Sequence, residues 1–72
     1  MRIKRKTIYW NGFKFVLTFP ANCQVVLKKN TLDIVNGNLI TRIILDPIKP
    51  EIRGNLPIAV KTPYNFFLIY KP

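Results

Sequence analysis

Few residues of this 72-residue chain could do covalent chemistry: it has no histidine, one cysteine, Cys23, and three carboxylates, Asp33, Asp46 and Glu51. A catalytic thiol needs a base to activate it, and the usual imidazole is absent. Asp46 and Glu51 are the nearest pair of acids, but they lie across a proline-rich stretch, and no Gly-rich phosphate cradle precedes a helical segment. The sequence therefore reads as non-enzymatic, with no cofactor and no metal site. The remaining chemistry is non-covalent. Twelve Lys and Arg residues give a formal charge of +9, which favours association with polyanions: nucleic acid, acidic lipid or an acidic protein face.

Only Arg2, Lys4, Arg5 and Lys6 are close enough in sequence to form a patch, and Lys28 and Lys29 make a smaller pair. The patch has two readings, a solvated strand end that guards a sheet edge or an anion-binding surface. Tyr9 and Lys14, on either side of a hairpin tip, add an exposed aromatic and a further cation, and Tyr64 adds another aromatic. Arg53 beside Gly54 is a candidate anion contact, because glycine lets a ligand approach the backbone closely. The candidate partner- or anion-binding residues are thus Arg2, Lys4, Arg5, Lys6, Tyr9, Lys14, Arg53 and Gly54.

The element that positions most of them runs from Ile8 to Pro20. Asn11-Gly12 between alternating apolar runs predicts a β-hairpin with a two-residue loop. Trp10 then faces Phe13, Ile8 faces Phe15, Lys6 faces Leu17 and Lys4 faces Phe19. The opposite side pairs Tyr9 with Lys14, Thr7 with Val16 and Arg5 with Thr18. A second pair, Asn36-Gly37, predicts another hairpin, with Ile34 opposite Leu39 and Leu32 opposite Thr41. Asn38 leaves room for a longer loop, which would shift that register by one residue and exchange the faces.

Gln24 to Lys29 continues as a strand. Asp46 to Pro57, with three prolines and a glycine, is expected to be an exposed loop or irregular edge and a candidate contact surface. Ile58 to Thr62 and Phe66 to Lys71 supply the last strands. The final one is apolar on both sides, as in a central strand or one that a partner covers. No window carries a helical period. The expected fold is a single all-β domain over residues 1–72: an antiparallel barrel or two-layer sandwich of five or six short strands with little or no helix.

Asn11 to Phe19, NGFKFVLTF, resembles the RNP1 motif of RNA-recognition and cold-shock domains at Gly12, Phe13, Phe15 and Val16, and departs from it at Asn11, Lys14 and Thr18. The resemblance covers nine residues and implies aromatics that stack on bases; the competing and preferred assignment puts Phe13 and Phe15 in the hairpin's core. Ile52 to Ile58, IRGNLPI, looks like the Arg-Gly motif of Sm-type RNA-binding barrels, but too few residues separate it from the upstream hairpin for that fold.

Asn11, Gly12 and Lys14 interrupt the apolar stretch that follows the basic start, so the chain is expected to be unprocessed and cytoplasmic. The run Phe66 to Tyr70 is far short of the ~20 residues of a transmembrane span. A mean hydropathy of +0.11 beside so many cations leaves few neutral polar residues to cover the surface. The preferred expectation is a small basic accessory or structural protein that, through protein–protein contacts, docks on a larger, possibly nucleoprotein, assembly or inhibits an acidic partner. The alternative is a small RNA- or single-stranded-DNA-binding barrel.

Overall fold

Chain reversals at Asn11-Gly12 and Gly37-Asn38 organise the molecule. A computed structural model describes residues 2–69, apart from the side chain of Ile69, as eight strands: β1 (Ile3–Trp10), β2 (Phe13–Pro20), β3 (Gln24–Leu27), β4 (Thr31–Asn36), β5 (Leu39–Ile44), β6 (Glu51–Gly54), β7 (Ile58–Lys61) and β8 (Phe66–Ile69). They form two four-stranded antiparallel sheets, A in the order β1-β2-β7-β8 and B in the order β3-β4-β5-β6. The chain lays down the first hairpin, builds all of sheet B, and returns to add β7 against β2. Each sheet keeps two edges, so the molecule is not a closed barrel, and it has more strands than the five or six expected. No helix among the described residues is long and apolar enough to cross a membrane.

The first loop has positive φ at both Asn11 (50°) and Gly12 (80°), the type I′ geometry whose twist matches the flanking strands. Its register is the expected one, with Trp10 opposite Phe13 and Ile8 opposite Phe15. The second hairpin departs from expectation. Its loop is Gly37-Asn38, and only Gly37 has positive φ (60°), which is the type II′ pattern. Asn36 therefore pairs with Leu39, Ile34 with Thr41, Asp33 with Arg42 and Leu32 with Ile43, a shift of two residues from the Asn36-Gly37 register. A two-residue shift keeps the faces. It also sets Asp33 opposite Arg42 rather than Ile40, and Leu32 opposite Ile43 rather than Thr41.

The inner faces meet in one core: Ile8, Phe15, Leu17, Phe19, Ile58 and Val60 from sheet A pack with Leu32, Ile34 and Ile43 of sheet B and with Leu45 and Leu56. Phe15 meets Trp10 edge-on, with ring centroids 6.2 Å apart. The Trp10 indole N–H donates to the Lys29 carbonyl (3.0 Å) and so ties the first hairpin to the β3–β4 turn. Thr41 is buried, and its hydroxyl accepts from the Leu56 N–H (2.9 Å) and donates to the Leu56 carbonyl (3.1 Å). That anchors the return from sheet B to sheet A.

The stretch 46–57 is not loop throughout, because Glu51–Gly54 pairs with β5 as the edge strand β6. Its prolines lie outside the ladder, where no N–H is needed. Of the two forms expected for the final strand, the central one does not occur, since β8 is an edge of sheet A; Tyr70 and Lys71 lie outside the described residues.

Candidate functional site

The period of two divides the basic N-terminal patch. Arg5 stands on the outer face of sheet A with Thr7 and Tyr9, whereas Lys4 and Lys6 share the side of Ile8 and Trp10 yet remain exposed at the edge of β1. Arg2 precedes the strand and lines a cleft of about 290 Å³ with Pro20, Ala21, Asn22 and Asn36. Lys14, opposite Tyr9, joins the outer face.

Two residues outside the sequence-derived candidates complete that face. Pairing of β2 with β7 puts Lys61 beside Val16, and pairing of β7 with β8 puts Phe66 beside Lys61. Cross-strand partners share a face, so two unbroken rows span the sheet. One is Thr7, Val16, Lys61 and Phe66; the other is Arg5, Thr18, Ala59 and Leu68. Tyr9 is 70% exposed and Phe66 63%, one on each edge strand, with Lys14 and Lys61 on the strands between them. Lys61 and Phe66 are legible only once β7 is known to lie against β2, and that contact joins residues some forty apart in sequence.

Charge is segregated between the sheets. The strands of sheet A contain no carboxylate, and among the described residues Lys4, Arg5, Lys6, Lys14 and Lys61 form no salt bridge. Every acid belongs to sheet B or its loops and is engaged there. Asp33 is 4% exposed on the outer side of sheet B; it accepts from Arg42 Nε (2.9 Å) and Nη2 (3.3 Å) and faces Lys28 Nζ at 3.3 Å. The Arg42 hydrogen bonds hold its carboxyl below the ordinary value, with Lys28 adding to the effect and burial opposing it. Glu51 pairs with Arg53. Asp46 accepts the N–H groups of Ile48 (2.8 Å) and Lys49 (2.9 Å) in a turn, which lowers its pKa in the same direction.

Arg53 and Gly54 are therefore separated from the other candidates, on the far sheet. Arg53 stands opposite Arg42 on the wall of an open groove of about 470 Å³ that also includes Ile40, Ile44 and Asn55. Each of these arginines already has its own carboxylate. Gly54, at φ 149°, is needed for packing, since a Cβ there would overlap the Ile40 carbonyl and Thr41 Cα. Its close approach is to the β5 backbone.

The RNP1-like aromatics do not form an exposed platform. Phe15 is 0% exposed, and Phe13 is partly buried against the core with its ring 6.4 Å from Tyr64. Cys23 is half-buried against the core, and burial pushes its thiol pKa up, away from the thiolate. In comparisons with known proteins, no family model, curated protein or solved structure matches this chain.

Proposed function

We propose that this chain is a non-catalytic, basic accessory protein that docks on a nucleoprotein assembly through the outer face of sheet A, contacting its nucleic acid. The observation that carries this reading is the segregation of charge: Arg5, Lys14 and Lys61 project from an acid-free sheet, while all three carboxylates are engaged on the other side. A protein-only interface fits this face less well. Lysine is depleted from the cores of protein interfaces, and here Lys14 and Lys61 occupy the two middle strands. The two sheets, joined through one core, serve as the scaffold that leaves this face open to solvent.

Replacing Arg5, Lys14 and Lys61 together with Gln should weaken nucleic-acid binding and reduce the slope of log affinity against log salt by about 0.7 to 0.9 for each phosphate that is no longer neutralised. The control is Lys29→Gln with Lys49→Gln, whose side chains are exposed outside the strands of sheet A. Per charge removed, that pair should have the smaller effect. Equal effects per charge would mean that net charge alone drives association and that sheet A is no special surface.

A further inference from the structure

Resting on the reading above, we infer that the nucleic acid bound is single-stranded and crosses sheet A transverse to its strands, along Tyr9, Lys14, Lys61 and Phe66. These residues come from four consecutive strands of the sheet, β1, β2, β7 and β8. Tyr9 and Lys14 are direct cross-strand partners, as are Lys61 and Phe66. Lys14 and Lys61 are diagonal neighbours, because Lys61 pairs with Val16, two residues along β2 from Lys14. The order across the sheet is thus aromatic, cation, cation, aromatic.

Strand spacing makes the band about 14 Å wide from edge to edge, enough for a few nucleotides and too narrow for a long tract. Between the aromatic edges lie Val16, Thr18 and Ala59, which are shorter than the flanking rings and half-buried. The face thus carries an exposed ring on each edge strand, with shorter side chains and the two lysines on the strands between them.

The aromatics decide between single strand and duplex. In a duplex the base faces are stacked on one another and hidden, so exposed rings such as Tyr9 and Phe66 gain nothing from them. Unpaired bases offer a π-face to each ring, whatever the sequence, while the lysines meet the intervening phosphates. The pattern supplies no ordered set of side-chain amides or carboxylates for reading base edges, so recognition is tolerant of sequence.

The test uses fluorescein-labelled oligo(dT) and oligo(U) of twelve nucleotides and a DNA duplex of the same length, titrated at several salt concentrations. The single strands should bind more tightly than the duplex. Tyr9→Ala and Phe66→Ala should each weaken single-strand binding by about five- to 150-fold, the range for removal of one base–aromatic stack, and leave duplex binding unchanged. Tyr9→Leu and Phe66→Leu keep the apolar surface but remove the π-face, and should weaken binding to a similar extent; thermal melts check that each variant folds. If single strand and duplex bind equally and only Lys14→Gln and Lys61→Gln weaken them, the single-strand inference fails and the basic-face reading stands. If neither oligonucleotide form depends on these lysines, both fail.

Discussion

Phe15 lies opposite Ile8 and edge-on to Trp10, with no solvent exposure, so truncating it leaves a cavity at the centre of the core. Phe15→Ala should cost about 3 to 5 kcal/mol. A core in a chain this short rarely supplies more than about that. The variant should therefore lose its cooperative melt by circular dichroism; a melt near the wild-type temperature would remove Phe15 from the core. Asp33 should contribute to the acid sensitivity of the fold. Its folded-state pKa is lowered, first by the Arg42 hydrogen bonds, so the stability it contributes is complete above its unfolded pKa of about 3.9 and is lost as pH falls through the lower folded value. Asp46, lowered by the Lys49 and Ile48 N–H groups, acts with the same sign. The melting temperature should hold as pH falls to about 5 and drop below about 4. Asp33→Asn should melt lower at neutral pH and show a flatter acid limb; an unchanged limb would put the acid sensitivity elsewhere. The burial of Phe15 was legible in the alternation of the hairpin. That of Asp33 was not, because it depends on Lys28 and Arg42 converging from the neighbouring strands β3 and β5 and their connections.

Glycine serves two different purposes in the strands and turns. Gly12 and Gly37 hold positive φ in open space, so an alanine at either meets only the left-handed backbone penalty of about 1 to 2 kcal/mol. Gly54 combines positive φ with close approach to the β5 backbone, and an added methyl group must push β6 away. Gly54→Ala should therefore destabilise more than Gly12→Ala or Gly37→Ala in urea unfolding, and its β5–β6 amides should exchange faster. Similar midpoints for all three variants would mean that β6 contributes little to the fold. Elements were legible wherever their determinants are local. The Asn11-Gly12 turn fixed its own register, whereas Asn36-Gly37-Asn38 offers two overlapping two-residue turns. The choice between those turns is consistent with the Asp33–Arg42 ion pair and the Leu32–Ile43 core contact, both made across the ladder. Strand β6 was hidden by the prolines around it, which interrupt the chain without entering the ladder.

At the scale of the molecule, the returning strand β7 joins the basic hairpin to an apolar edge, and this long-range step created a face that the order of residues in sequence does not display. The same arrangement leaves sheet A with two unlike edges. On β8, Phe66 and Leu68 are exposed, and no charged residue lies in the strand. On β1, Lys4 and Lys6 are opposite the buried Phe19 and Leu17, on the side that otherwise carries the core. A charge pointing inward at an edge is a recognised guard against pairing with another chain, since a second strand added there would have to bury it. Replacing both lysines with Val would extend the apolar surface of Leu17 and Phe19 to the open edge while keeping strand propensity high. Lys4→Val/Lys6→Val should therefore fold, melt at or above the wild-type temperature, and self-associate at lower protein concentration than wild type in sedimentation velocity. Lys4→Gln/Lys6→Gln should fall between the two, because a neutral amide is easier to bury than an ammonium but still needs hydrogen-bond partners. If the valine variant sediments like wild type over the same concentrations, these lysines do not guard the edge.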